Sequence, residues 1–456
     1  MLKPLSLAEM ALALNGRLQG EDVVFSSLCT DSRRLQLGQL FVALRGPNFD
    51  GHTYLAEVAA KGAVAALVEQ ADASLALPQL QVADTRLALG QLGALNRQAF
   101  RGQLAAVTGS SGKTTVKEML AAILRAALDG EVLATRGNLN NDLGVPLTLL
   151  ELGEQHVAAV IELGANHVGE IAYTVALARP QVAILTNAGN AHVGEFGGLE
   201  KIVEAKGEII EGLPADGTAV LNLDDAAFAT WQARAAGRSI LRFALQDARA
   251  DFHAGELHRD ARGCQGFTLH SPQGQAVVQL NLLGEHNVSN ALAACAAAHA
   301  LGVSLAAMVA GLQALQPVPG RCVAQLTAQG VRVIDDSYNA NPVSMCAAVD
   351  ILAGFAGRTL LVVGDMGELG EWAEEGHRQV GAHAAGKVSA LYAVGPLMRH
   401  AVAAFGAGAR HFADQASLIS ALQAETAGTT ILIKGSRSAA MDKVVAALCG
   451  QSGEIH

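Results

Sequence analysis

The sequence predicts an α/β protein of three domains. Three observations lead to it: apolar runs alternate with helical patterns along most of the chain, a glycine-rich turn joins a buried strand to a helix, and 456 residues is about three times a typical domain. The expected architecture is an N-terminal α/β domain at 1–101, a central P-loop-type parallel-sheet domain with a small antiparallel sheet at 102–316, and a C-terminal Rossmann-like domain at 317–456.

Short strands open the first domain, in VVFSSLCTDSRR and GQLFVALRG, followed by the turn NFDGH. A helix over residues 54–61 and the buried strand AVAALV come next, and the amphipathic helix LALGQLGALNRQAF leads to a new domain near Gly102. There the strand QLAAVTG, the helix TTVKEMLAAILRAAL and the strands HVAAVIELG, QVAILTNAG and GTAVLNLDD follow one another. Continuously apolar strands separated by helices belong to a parallel sheet covered on both faces. Residues about 240–283 instead alternate apolar and polar, as antiparallel strands do. The segment QPVPG at 316–320 reads as a hinge, and the strands VRVIDDS, RTLLVVGD, LYAVG and TILIKGS build the last domain.

Composition removes several functional classes. Hydrophobic residues at 51% against 16% charged exclude extended disorder as the main state. The charge balance, 32 − 42 = −10, lacks the basic footprint of a nucleic-acid binder. Backbone amides can still bind a small anion, and 49 glycines, about 11% against a usual 7% or so, suit close backbone approaches to phosphate. Cys29, Cys264, Cys295, Cys322, Cys346 and Cys449 form no CxxC and no metal-ligand spacing, which suits reduced thiols. Glu9 and Asn15 interrupt the N-terminal apolar stretch, so no signal peptide is expected and the location reads as cytoplasmic. No Asp, Glu, Lys or Arg lies between Glu285 and Arg321, yet His299, Gly302 and Ser304 break that run. It predicts two buried helices split near Gly302, with no membrane insertion.

The chemistry concentrates in AAVTGSSGKTT. Gly109 and Gly112 let the backbone curl so that amides of Gly109, Ser110, Ser111, Gly112, Lys113, Thr114 and Thr115 face a phosphate. Lys113 would reach the β/γ-phosphates, and Thr114 or Thr115 would bind Mg²⁺. Val107 stands where the eight-residue Walker pattern has glycine, but the strand–turn–helix context is intact. Glu162 ends the strand HVAAVIE, where carboxyl ends converge on a ligand crevice. His192, just past another strand, reads on its own more readily as a polar loop residue than as a ligand. Gly364, Gly367 and Gly370 are spaced GxxGxxG, which is no dinucleotide fingerprint.

Taken together and in order, TGSSGKTT, GNLNNDLGVPLTLL, IELGANHVGE, TNAGNAHVGEFG, VEAKGEI, LNLDD, LLGEHNVSNALAA and GRC resemble the Mur ligases of bacterial cell-wall synthesis. IDDSYNANPVSM, VVGDMGELG and ILIKGSRS are similar to the branch that joins D-alanyl-D-alanine to UDP-N-acetylmuramoyl-tripeptide. The Asp-Asn-Pro-Arg motif of the sibling that adds the third residue is absent, and TDSRRLQLGQLFVALRGPNFDGH resembles the UDP-binding domain of both. The resemblance implies an ADP-forming ligase that takes ATP, two Mg²⁺ sites and small-molecule substrates; the oligomeric state is left open with a monomer as the default, and the charge balance speaks against nucleic acid. It implies catalytic roles for Lys113, Glu162, His192, Lys206 and Arg321, with Thr114, Glu162 and His192 on Mg²⁺. Asn287 and Asn290 would lie near adenine with His286 close by, Arg321 near the ATP phosphates and Asp336 near the ribose. Thr30, Asp31, Ser32, Arg33, Asn138 and Asn141 would hold the UDP-substrate, with Asn140 in the same cluster, and Lys434 and Arg437 the dipeptide carboxylate. It also implies that Lys206 is carbamylated and holds the second Mg²⁺; the plain alternative pairs Lys206 with Glu204 and Glu208 along a helix. Two competing readings are a folylpolyglutamate-type ligase, against which the N-terminal segment speaks, and a nucleotide-gated module without ligation. Whether the third peptide residue is diaminopimelate or lysine stays open.

Overall fold

The computed structural model describes residues 1–46, 49–189, 198–245, 247–317, 320, 322–367 and 369–450. The chain forms two compact units: residues 1–254, 269–276 and 289–312, and residues 255–268, 277–288 and 313–456.

The first unit begins with a five-stranded sheet in the order Arg17–Gln19, Gln79–Gln81, Ala65–Val68, Leu40–Val42 and Leu28–Cys29. Arg17–Gln19 pairs antiparallel and the other neighbours are parallel. Helix Thr85–Ala99 closes this part, as the amphipathic pattern predicts; Asp84 caps it by accepting hydrogen bonds from the amides of Arg86 and Leu87. Its apolar face, Ala88, Leu89 and Leu92, packs on Leu40, Leu67 and Leu80 of the sheet.

The central sheet runs Glu131–Ala134, His156–Glu162, Gln103–Thr108, Val182–Leu185, Thr218–Asn222 and Ser239–Ala244, all neighbours parallel, and continues through Phe252–Arg259, Cys264–Ser271 and Gly274–Leu283. Leu104, Ala105, Ala106 and Val107 are wholly buried, which explains why this strand reads as a continuous apolar run. After Gln103–Thr108 the chain first builds strands on one side of it and then on the other. That reversal opens a crevice at the carboxyl ends of His156–Glu162, Gln103–Thr108 and Val182–Leu185.

Two differences from the sequence reading stand out. Ser239–Ala244, expected within the antiparallel stretch, pairs parallel with Thr218–Asn222; its first four residues are exposed or half-buried, so its pattern imitates an edge strand. The antiparallel part lies beyond it and extends the central sheet: Cys264–Ser271 and Gly274–Leu283 are neighbours joined by two residues, a connection only antiparallel strands can make. The uncharged segment forms two helices, Glu285–Ala300 and Leu305–Ala314, with Gly302 between them at φ +80°. Among the described residues no helix is long and apolar enough to cross a membrane.

The second unit holds a six-stranded sheet in the order Val323–Leu326, Arg332–Asp336, Thr429–Lys434, Arg358–Gly364, Ala390–Val394 and Ala409–Phe412. Its first pair is antiparallel and the rest are parallel. Helices Pro342–Ala353 and Ala373–Ala384 bury Met345, Val349, Leu352 and Val380 against one face.

Candidate nucleotide and ligation site

The crevice at the strand switch is filled by the glycine loop. Gly109 has φ +148° and Gly112 φ +79°, conformations that a side chain disfavours. A Cβ at 109 would overlap the Thr186 hydroxyl, and one at 112 would overlap the Asn290 side chain. Close packing adds to the turn's demand at 109, whereas at 112 the positive φ is the main constraint because the end of the Asn290 side chain can shift.

The loop is tied to the end of Val182–Leu185. The Ser110 amide donates to the Asn187 carbonyl at 3.0 Å, the Ser111 amide to Asn187 Oδ1 at 3.0 Å, and Thr186 Oγ1 to the Ser111 carbonyl at 2.6 Å. Two amides expected to face a phosphate are thus engaged within the protein. Among the described residues no hydrogen bond engages the amides of Lys113, Thr114 and Thr115, and the first intrahelical bond is Val116 N to the Gly112 carbonyl at 2.9 Å. These orphan donors, at the positive end of helix Lys113–Ala127, are the anion-facing groups. Lys113 curls over them with Nζ 2.7 Å from the Gly109 carbonyl, and its burial lowers its pKa against the opposing pull of Glu162.

Glu162 is 2% exposed and faces the first turn of that helix. Thr114 Oγ1 donates to Oε2 at 2.9 Å and Asn140 Nδ2 to Oε1 at 2.8 Å, while the Glu162 amide donates to Thr135 Oγ1 at 2.9 Å. A carboxylate and a hydroxyl touching at the phosphate end of the loop suit Mg²⁺, which takes one or two protein oxygens and leaves the rest to water and phosphate. His192 and Arg321 lie outside the described residues.

Beside the loop is a cleft of about 160 Å³ whose wall includes Lys113, Asn140, Asn141, Asn166, Glu170 and Lys206. Asn141 Oδ1 accepts from the Gly144 amide at 2.8 Å, so it also anchors helix Gly144–Leu150, while the Asn138 carbonyl accepts from the Asn140 amide at 2.8 Å. Lys206 is 4% exposed, with Nζ 3.4 Å from the Ala165 carbonyl. Burial first, and Lys113 second, lower its pKa to about 8, against Glu170 and Glu208. The acids expected to pair with it have other principal contacts: Glu204 bonds Lys201 at 2.7 Å, and Glu208 accepts from the amides of Gly169 and Ala172 at 2.6 and 2.8 Å, capping helix Glu170–Ala178.

The remaining candidates are spread over the chain. Asn290 packs on the loop at Gly112. Thr30, Asp31, Ser32 and Arg33 sit in the N-terminal part, where Arg33 grips Asp31 through Nε and Nη2 at 2.9 and 2.8 Å, and Lys61 Nζ bonds the Ser32 carbonyl at 3.0 Å. In the second unit, Asn287 Nδ2 bonds the Leu283 carbonyl at 2.8 Å, and burial lowers the pKa of His286. Lys434 and Asp336, assigned to different ligands from sequence, form one buried ion pair at 2.7 Å; burial still raises the Asp336 pKa despite the lysine. Arg437 is mostly exposed, 3.7 Å from Asp442. Sequence reasoning missed the roles of Thr135, Thr186, Asn187 and Glu170, although TNAG and IELGANHVGE contain three of them. It also missed Lys117, 1% exposed and bonded to the Thr135 carbonyl at 2.6 Å behind the site.

Three family models match in order: the Mur ligase family catalytic domain at 24–97, the Mur ligase middle domain at 107–298 and the Mur ligase glutamate ligase domain at 320–437. The UDP-N-acetylmuramoyl-tripeptide–D-alanyl-D-alanine ligase of Escherichia coli (strain K12) is 47% identical over 448 residues, 97% of this chain and 98% of that protein. The crystal structure of MurF from Acinetobacter baumannii superposes with a TM-score of 0.84 at 40% identity, covering 99% of this chain and 100% of that one. The MurF ligase of Thermotoga maritima in complex with ADP gives 0.76 at 28% identity over 93% and 97%. With the glycine loop, the Glu162–Thr114 contact and likeness from end to end, the chain belongs to the Mur ligase family.

Proposed function

We propose that the protein is the ATP-dependent ligase that joins D-alanyl-D-alanine to UDP-N-acetylmuramoyl-tripeptide. The observation that carries the substrate choice is the 47% identity, over 97% of the chain, to a relative named for that reaction. The tripeptide carboxylate oxygen attacks the γ-phosphorus of ATP, the bond from that phosphorus to the bridging oxygen breaks, and ADP leaves. The dipeptide amine then attacks the acyl-phosphate carbonyl, the bond to phosphate breaks, and an amide and inorganic phosphate result, with one proton released. Catalysis of this kind rests on positioning and charge neutralisation.

In that reaction the amides of 113–115 and the Lys113 ammonium hold the phosphates, with Gly109 and Gly112 shaping the turn. Thr114 and Glu162 are the protein oxygens for Mg²⁺, which supplies charge neutralisation at the transferring phosphoryl group; His192 completes the proposed set. Lys206, as a carbamate, would supply anionic oxygens for a second Mg²⁺. Its burial beside Lys113 supports this role, because a neutral amine is the form that adds CO₂. Asn138 and Asn141, with Thr30, Asp31, Ser32 and Arg33, hold the UDP-substrate; Asn287, Asn290, Arg321 and Asp336 serve ATP; Lys434 and Arg437 serve the dipeptide carboxylate. The order of the family matches supports domains at 1–101, 102–316 and 317–456. A cytoplasmic location belongs to this reading.

The test is ADP release measured with each substrate omitted in turn. ADP that forms only when both the UDP-tripeptide and D-alanyl-D-alanine are present supports the assignment; release with glutamate and a folate in their place would overturn it.

A further inference from the structure

A second basic cleft lies at the opposite end of the central sheet. It has a volume of about 480 Å³, and its wall includes Arg97, Phe100, Arg101, Arg179 and Leu213. These residues precede the strands Gln103–Thr108, Val182–Leu185 and Thr218–Asn222, so they gather at the amino ends of the strands whose carboxyl ends carry or border the glycine loop. Six residues of strand, at about 3.3 Å each, set the two places roughly 20 Å apart.

Arg97 is only 8% exposed. Its Nε donates to the Ala178 carbonyl at 2.7 Å, Nη1 to Phe100 at 3.3 Å and Nη2 to Arg179 at 3.0 Å, using three of the five donors of a guanidinium. Those bonds give it a structural task, closing the end of helix Glu170–Ala178. They do not neutralise it: burial and the Arg179 charge both lower its pKa. Arg101 and Arg179 are exposed on the same wall, and among the described residues neither forms an ion pair. Arg238 adds a fourth cation at the Leu213 carbonyl, and the neighbouring acid Glu211 is engaged by Arg234. Like charges gathered in a protein of net charge −10 repel one another unless an anion joins them. Arginine forks match phosphate oxygens, and Phe100, Leu213 and Pro214 offer an apolar wall for the body that carries the phosphate.

We propose that this cleft is a second anion site, separate from the nucleotide loop, that takes the phosphate group of a small phosphorylated metabolite. Its concave shape favours a soluble ligand over a flat surface.

The probe is inorganic pyrophosphate, titrated calorimetrically into the full chain with the nucleotide loop filled by a non-hydrolysable ATP analogue. One further equivalent should bind, weakening with added salt. Arg101→Gln with Arg179→Gln should lower its affinity at least tenfold while leaving ligation unchanged, and Lys113→Ala should leave this second equivalent in place. Arg101→Gln alone, an exposed substitution, should give a smaller loss in the same direction. Absence of the second equivalent, or equal affinity in the arginine variants, would overturn the proposal. Sedimentation with phosphatidylglycerol vesicles, lost in the double variant and unaccompanied by pyrophosphate binding, would assign the phosphate to a lipid headgroup and overturn the soluble ligand.

Discussion

Gly109→Ala tests the claim that packing against Val182–Leu185, and not the turn alone, fixes the nucleotide loop. The wild-type backbone sits at φ +148°, so alanine there carries about 1–3 kcal/mol of conformational strain. The added methyl also overlaps Thr186 Oγ1, which must rotate away and abandon the Ser111 carbonyl at 2.6 Å. Ser111 is exposed and its carbonyl keeps a 3.3 Å bond from Asn187 Nδ2, so losing the Thr186 bond costs about 0.5–1.5 kcal/mol more. The expected destabilisation is about 3 kcal/mol in urea unfolding, together with loss of ADP binding because Ser111 precedes the orphan amides. Thr186→Ala alone should cost about 1–2 kcal/mol. In the Gly109→Ala background it should cost much less, since the hydroxyl is already displaced, giving a coupling energy of about 1 kcal/mol or more. The double variant stays below wild type because the backbone strain persists. Strictly additive single effects would refute the collision between residues 109 and 186.

Lys113→Ala should abolish ATP turnover with an unchanged circular dichroism spectrum, since among the described residues its ammonium bonds a loop carbonyl and no core group; near-normal turnover sinks the nucleotide assignment. Glu162→Gln keeps the shape and the Thr114 and Asn140 neighbours but removes the charge, so the Mg²⁺ concentration giving half-maximal activity should rise at least tenfold; an unchanged value rejects Glu162 as a ligand. Lys206→Ala should lose most activity and regain part of it with added acetate or formate. Because burial holds the amine at about 8, the neutral form dominates above that pH and fades below it, so bicarbonate should stimulate the wild type most under mildly acidic conditions; indifference to bicarbonate throughout, with wild-type turnover in Lys206→Ala, is the contrary result. Asp336→Asn leaves Lys434 charged and buried, which should cost about 3–5 kcal/mol by denaturant titration, whereas a loss under 1 kcal/mol would mean the pair is solvated.

Much of the fold was legible because parallel strands buried on both faces announce themselves as apolar runs. Gln103–Thr108, His156–Glu162 and Thr429–Lys434 all emerged within a residue or two of their expected places. Strands at or near sheet edges were harder. Glu131–Ala134, Val323–Leu326 and Ala409–Phe412 have four residues each and are partly exposed, so their pattern is too short and too mixed to register. The site was legible where a residue type declares its chemistry, as in Lys113 and Glu162. It was hidden where the role depends on a distant partner. Nothing local in TNAG says that Thr186 and Asn187 will hold the loop, and nothing in IDDS or IKGS says that Asp336 and Lys434 will meet across paired strands.

The two lysines of the crevice show how the fold prepares charge before any ligand arrives. Lys113 and Lys206 line one small cleft, each with its pKa lowered by burial, and each is felt by the other or by the acids around it. Holding two cations out of water is unfavourable unless negative charge enters. Glu162 offsets Lys113 only in part, because the cost of burial outweighs its attraction. Glu208 is held by the amides that begin helix Glu170–Ala178, so it acts on Lys206 as a fixed field. Glu170 on the cleft wall and Glu208 oppose the effect of burial at Lys206 in the same way, and the orphan amides of 113–115 add donors for an anion at the loop. A triphosphate satisfies the loop side of that demand. Conversion of the Lys206 amine to a carbamate would satisfy the other side by reversing its sign, which turns a repulsion between lysines into an attraction and supplies oxygens where a metal needs them.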